Sequence, residues 1–373
     1  MNDIPVAGFC GSRFHRVRDE FVRNFVERGD VGASVCVVAD GEIVVDLTGG
    51  WADALRRRAW QPDTVVNVWS STKGVAAVCF AMLVDAGRFF YEDRVSRYWP
   101  EFAVEGKGDV TVGQLLSHQA GLCGFTAPAT VADLLGGSAS AARLAAQAPL
   151  WAPGTASGYH AITGGILATE LFRRIEGRSL RRFVAEELRG ARNFDISIGL
   201  TMADAPRRAE MIAPPAMDSA QLGSLTAAQI AALGNPPLDP LLPNHPDWRR
   251  ADLPSANGHA NARGLAALYA ALISPDPLVS ADTLRQAIAV RIEGVDLVLG
   301  LPARWGAGFL LNADGLYGPS RAAFGHSGWG GSFGIADPAR GLAIGYAMNR
   351  MGTMLRDDPR DVALLQAVYA SLS

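Results

Sequence analysis

Trp69-Ser70-Ser71-Thr72-Lys73-Gly74 stands where an apolar helix is expected to begin. Residues three apart share one helical face, so the Ser70 hydroxyl and the Lys73 amine can meet. A serine hydroxyl is a poor nucleophile until a neighbouring base takes its proton. A lysine can be that base only when burial or positive surroundings lower its pKa. Among 34 basic residues only two, Lys73 and Lys107, are lysine. Arginine cannot lose its proton in a protein, so writing Lys here is consistent with a need for a neutral amine. Ser-x-x-Lys arises about once by chance in a chain this long, so the flanking sequence decides its meaning.

Downstream, Val75 to Val84 is apolar on nearly every side, which predicts a buried helix that Gly87 ends. Upstream, Thr64 to Trp69 is a short apolar run. Before it, Ala33 to Ala39 and Glu42 to Leu47 are β-rich runs flanking Asp40-Gly41, a hairpin signal. Phe14, Val17, Phe21, Val22 and Phe25 follow helical spacing, with Gly29 as the stop. Thr111 to Leu122 reads as a short helix carrying His118. Alanine-rich helices are expected around 130–147 and 162–189, and further helices over Asn261 to Ile273 and Ala281 to Ile292. Between them 202–258 breaks periodicity and holds nine of the 21 prolines, the mark of a lid, a pocket wall or a linker.

The C-terminal part changes character. Trp305 to Leu311, Ala322 to Ser327, Ser332 to Ala336 and Leu342 to Met348 read as short strands, and Asp358 to Leu372 as a last amphipathic helix. An N-terminal hairpin pairing with these strands gives one antiparallel sheet with terminal helices on its face. The expected fold is therefore α+β. A sheet lobe is formed by 1–69 and 285–373, and a mostly helical lobe by 70–284, including the pocket-wall segment 202–258.

Composition narrows the function. The chain has 373 residues, 49% of them hydrophobic, enough for a large core. A net charge of −3 argues against a nucleic-acid partner. The run Arg56-Arg57-Arg58 reads as a solvated turn. Cys10, Cys36, Cys79 and Cys123 form no Cys-x-x-Cys pair, and Cys36 and Cys79 read as buried thiols. The six histidines lack His-x-x-x-His or His-Glu-x-x-His spacing, so neither metal nor cofactor is expected. Met1 to Pro5 leads into no apolar signal core, and no run of about 18 apolar residues occurs. A cytoplasmic protein without membrane association is the expectation.

Two further stretches can carry chemistry. Ala152 to Ala161 is a turn-rich loop with Tyr159 just before a helix, and a tyrosine beside a lysine can share in proton transfer. Phe324-Gly325-His326-Ser327-Gly328-Trp329-Gly330-Gly331-Ser332-Phe333-Gly334 is glycine-rich enough for a ligand to approach the backbone. A strand edge there can offer an N–H to an oxyanion, alongside the N–H at Ser70. His118 reads first as a hydrogen-bonded structural histidine. Gly330 to Gly334 also matches Gly-x-Ser-x-Gly, but that elbow needs a helix after it and a later histidine. No histidine follows 326, so Ser332 is rejected as nucleophile.

Together these stretches resemble the serine β-lactamase and penicillin-binding-protein superfamily. Within it the chain looks most like class C β-lactamases and the related family VIII carboxylesterases. The likeness rests on Ser70 to Lys73, on Tyr159-His160-Ala161 after Pro153-Gly154-Thr155, and on His326-Ser327-Gly328. Asp109 to Leu122, Asn257 to Gly264 and Gly341 to Asn349 also resemble these esterases. The resemblance implies that Ser70 is acylated and that Lys73 and Tyr159 are the general-base pair. The N–H groups of Ser70 and Trp329 would form the oxyanion hole, and His326, Ser327, Gly328 and Trp329 would line the substrate site. Two positions depart from the lactamase pattern. Ala161 replaces the Asn of Tyr-x-Asn, and His326 replaces the Lys that would meet a β-lactam carboxylate. A histidine, mostly neutral at pH 7, is a weaker anion anchor. The expected activity is that of a serine carboxylesterase on small or short-chain esters. A β-lactamase, D-amino-acid peptidase, amidase or transesterase is the alternative, and a non-catalytic binding protein the remote one.

Overall fold

The computed structural model describes residues 4–215 and 225–372; residues 216–224, part of the 202–258 segment, and Met1 to Asp3 lie outside them. Its centre is a nine-stranded antiparallel sheet of β1 (Val6–Cys10), β2 (Gly32–Ala39), β3 (Glu42–Gly50), β7 (Ile292–Val295), β8 (Pro302–Trp305), β9 (Leu310–Leu311), β10 (Phe324–Ser327), β11 (Phe333–Asp337) and β12 (Leu342–Met348). The order is β1-β3-β2-β12-β11-β10-β9-β8-β7. The hairpin forms as expected, with Asp40 and Gly41 at φ 49° and 84° in its two-residue turn. The register Val35↔Tyr346 and Val37↔Ile344 joins the N-terminal hairpin to the C-terminal strands.

Both central strands are buried along their whole length, because each face of the sheet is covered. Alternate residues of β2 point opposite ways. Val35 and Val37 join the cluster of Phe14, just before the first helix, with Val17, Phe21, Leu364 and Val368 from the terminal helices His15–Val26 and Pro359–Ser371. Cys36 and Val38 join Leu265 and Tyr269 of the helix Ala262–Ile273 on the other face. A sheet covered on both faces reads as an unbroken apolar run.

The helix Ser71–Asp85 buries almost every residue, as its all-round apolar sequence requires. Its start is held by a three-stranded sheet of β4 (Val66–Asn67), β6 (Gly258–Ala260) and β5 (Ile196–Ile198), in the order β4-β6-β5. Val68 N–H donates to Gly258 O (2.9 Å), and Gly258 N–H to Thr72 Oγ1 (3.0 Å).

Several expectations need correction. The 111–122 helix stops at Leu116, and His118 lies beyond it at φ 64°. The Trp305–Leu311 run is two strands, because the chain turns through Gly306 to Gly308 and Gly306 N–H donates to Phe309 O. The helix expected to Ile292 ends at Ala287, and Ile292 opens edge strand β7. The 202–258 segment is partly regular, with helices Ala227–Leu233 and Pro246–Arg250. Strands β1, β5 and β6 carry no strong apolar alternation and were not anticipated. Among the described residues no helix is long and apolar enough to cross a membrane.

Candidate active site

Ser70 caps the Ser71–Asp85 helix, where the first N–H groups lack intrahelical partners. The preceding Trp69 has φ 44°, a left-handed value that is costly for a bulky residue. Packing holds it there: its ring is buried between Trp248 (centroids 5.3 Å apart) and Trp329 (4.9 Å). One turn on, Lys73 Nζ lies 3.2 Å from Ser70 Oγ, 2.6 Å from Ala161 O and 3.0 Å from Ser255 O. Burial pushes the Lys73 pKa well below its ordinary value, and no carboxylate offsets it. Two carbonyls can take the two hydrogens of a neutral amine, which leaves its lone pair for the Ser70 hydroxyl.

Tyr159 joins the pair from its loop. Lys73 Nζ sits 4.6 Å from the Tyr159 ring centroid. Burial raises the Tyr159 pKa, contact with Ser70 lowers it, and Tyr317 and Asp296 add to the rise. The ring stacks on Trp305 at 5.7 Å and 6°, and meets the edge of His118 at 5.0 Å. His160 is structural: Nδ1 donates to Gly158 O (2.7 Å) and Nε2 accepts from Leu122 N–H (3.1 Å). His118 Nδ1 accepts from His160 N–H at 3.3 Å. The structural reading of His118 therefore fits, although its ring also borders the site.

The third stretch arrives on β10 and the turn after it. His326 Nδ1 donates to Ser327 O (2.9 Å), while its buried Nε2 has no partner among the described residues. Burial, with Lys73 nearby, drives the His326 pKa down to about 3, so the ring is neutral. The Ser327 hydroxyl pairs with the Tyr317 hydroxyl at 3.1 Å. The 328–331 turn is tied by Gly328 N–H to Ser332 O (2.7 Å) and Gly331 N–H to Gly328 O (3.1 Å). It is also tied from outside by Arg360 Nη2, which donates to Gly330 O at 2.6 Å. The Trp329 N–H is left without an acceptor among the described residues. Ser332 is fully buried, its hydroxyl donating to Val68 O (2.8 Å) and meeting Ser71 Oγ at 3.1 Å. That serine, just before β11, fastens the strand to the helix start.

Sequence reasoning missed the parts that position these groups: the carbonyls of Ala161 and Ser255, the Trp305 ring and the buried Asp296. The last had a faint signal, a lone carboxylate within Val295-Asp296-Leu297-Val298-Leu299.

The family description "Beta-lactamase" matches residues 18–369. The "Esterase/beta-lactamase LipL" of Mycobacterium tuberculosis is 34% identical over 367 residues, covering 93% of this chain and 83% of that protein. A crystal structure of a family VIII carboxylesterase is 44% identical with a TM-score of 0.92, covering 98% of this chain and 100% of that one. A penicillin-binding protein homolog from Caulobacter crescentus gives 44% and 0.93 at the same coverage. A class C β-lactamase, 15% identical with a TM-score of 0.70, shares the fold. The chain is thus a hydrolase of the Beta-lactamase family, within the serine β-lactamase and penicillin-binding-protein superfamily, and is similar to family VIII carboxylesterases.

Proposed function

We propose that this chain is a serine carboxylesterase that hydrolyses small or short-chain esters through an acyl-enzyme on Ser70. The observation that carries the reading is the Lys73 amine, buried without a counter-charge and 3.2 Å from Ser70 Oγ. Lys73 takes the Ser70 proton as Oγ attacks the ester carbonyl carbon. The N–H groups of Ser70 and Trp329 receive the oxyanion. Tyr159, kept a phenol by burial, passes a proton to the departing alkoxide and is reprotonated from Lys73. A water then gives its proton to the same pair, attacks the acyl carbonyl and frees the acid and Ser70. Lys73 is the base, and Tyr159 relays.

The substrate class follows from what the site lacks. His326 is neutral and Ala161 is apolar, so neither supplies a positive charge or an amide to a carboxylate-bearing substrate. His326, Ser327, Gly328 and Trp329 line the substrate side, and small neutral esters suit them. The equal likeness to a penicillin-binding protein homolog favours a second reading, a β-lactamase, peptidase or transesterase on the same residues.

The test compares wild type and Ser70→Ala on p-nitrophenyl acetate, p-nitrophenyl butyrate and nitrocefin. The expected result is ester turnover by wild type, none by Ser70→Ala, and slow nitrocefin cleavage. Wild-type turnover in Ser70→Ala refutes the nucleophile. Faster nitrocefin than ester cleavage installs the second reading, and no fluorophosphonate labelling with no turnover leaves a binding protein.

A further inference from the structure

We propose that Asp296 is a positioning residue that sets the place of Tyr159. Asp296 is fully buried, yet none of its contacts is with a cation. One oxygen accepts the N–H of Tyr159 (2.9 Å), Val298 (3.0 Å) and Leu299 (3.0 Å). The other accepts the indole N–H of Trp305 at 3.3 Å. Trp305 is the ring stacked flat on Tyr159. One carboxylate therefore holds the tyrosine twice, by its own backbone and through the aromatic ring against its face. Leu297 N–H donates to Ser157 O (2.8 Å), so the turn around Asp296 also grips the loop just before Tyr159. A buried carboxylate is costly unless it is this fully hydrogen-bonded, and a turn needs no such group merely to close.

The charge has a second effect. The ionisable neighbours of Tyr159 are Lys73, His118, His160 and His326, all uncharged in this reading, with Tyr317 and Asp296. Burial raises the Tyr159 pKa most and Asp296 adds to the rise, which disfavours the phenolate. That keeps Tyr159 a proton carrier and leaves the base role to Lys73, so the inference rests on the esterase reading above.

The test begins with fluorophosphonate labelling of wild type at Ser70. An unlabelled Ser70 defeats the esterase reading, and this inference with it, before Asp296 is altered. With labelling established, Asp296→Asn keeps an acceptor oxygen and the shape but removes the charge. It is expected to lower kcat by about 10-fold or more with KM little changed. Trp305→Phe keeps a ring and loses only the indole N–H, so it lowers kcat less, again with KM little changed. A folded Asp296→Asn with wild-type kcat, or with its loss in KM instead of kcat, overturns the inference. So does an unfolded Asp296→Asn beside a Trp305→Phe of wild-type kcat, which marks the carboxylate as part of the fold alone.

Discussion

Lys73 and Lys107 show what a lysine does here that an arginine cannot. Both are buried, and both aim a compact amine at two backbone carbonyls. Those of Lys107 are Val104 O at 2.8 Å and Gln147 O at 2.7 Å. The scarcity of lysine therefore has two causes, and only Lys73 has a serine hydroxyl as its third neighbour. Lys73→Arg is expected to fold and to lose about 10²- to 10⁴-fold in kcat, measured on p-nitrophenyl butyrate at constant pH. With Lys73 as the proposed base, wild-type activity needs the deprotonated amine, so the acid limb is expected well below the ordinary lysine range. A kcat/KM profile still climbing toward pH 10 contradicts that. At this scale the sequence was legible where partners are close along the chain. Ser70 and Lys73 are three residues apart, whereas Asp296 reaches Tyr159 across 137. No local pattern encodes a contact that only the folded sheet creates.

The helix that starts at Ser71 is seated by a close approach at Gly74. A Cβ there would lie 2.0 Å from the Tyr269 hydroxyl oxygen, on a helix that packs against the central strands. That hydroxyl is buried and has no hydrogen-bond partner among the described residues. Two substitutions follow. Gly74→Ala should cost about 1–3 kcal/mol of stability by overpacking and reduce turnover by shifting Ser70. Tyr269→Phe removes an unpaired polar atom, so it should be neutral or stabilising, and in the double variant it should recover part of the Gly74→Ala loss. A double-mutant cycle by urea unfolding measures the coupling, and strict additivity counts against the contact. Long elements with one clear period were readable: the first helix, the β2–β3 hairpin and the Ser70 helix. Pieces of two or three residues, such as β4 and β5, were not. They owe their strand geometry to a neighbour's hydrogen bonds and not to their own pattern.

Across the whole molecule, one buried guanidinium ties together parts distant in sequence. Arg360 of the last helix pairs with Asp30 (2.7 Å) and Asp358 (2.7 Å) and donates to Gly330 O in the turn beside Trp329. Removing it leaves two carboxylates without their cation. Arg360→Met should therefore destabilise the fold by roughly 3–5 kcal/mol, read from urea midpoints, and lower turnover in the folded fraction. Buried histidines supply a pH term as well. His259 donates from Nδ1 to Asn257 O (3.0 Å), and burial lowers its pKa to about 4. Its folded pKa lies below its unfolded value near 6.5. Its contribution is therefore intact above that value and is lost as pH falls toward 4, by roughly 1.4 kcal/mol per unit. His259→Gln should flatten the wild-type decline in that window by about that slope, whatever its effect at pH 7, and an unchanged slope contradicts the assignment. The sheet with its terminal helices was foreseeable because strands at both ends of the chain carry apolar runs. The exact order of its nine strands was not, since register is settled by partners and not by either strand alone.

Pairing of β2 with β12 also imposes a timetable on biosynthesis. About 300 residues separate Ala39 from Leu342, and a ribosome adding about 5–20 residues per second needs roughly 15–60 s to cross that gap. Throughout it the β2–β3 hairpin is already made, with one apolar edge open and its partner not yet translated. The helix that begins at Ser71 emerges in that interval too, with the Gly328–Gly331 turn still to come. A nascent chain of this protein is thus long, inactive and sticky until its last strands leave the exit tunnel, and holdase chaperones have that interval in which to act.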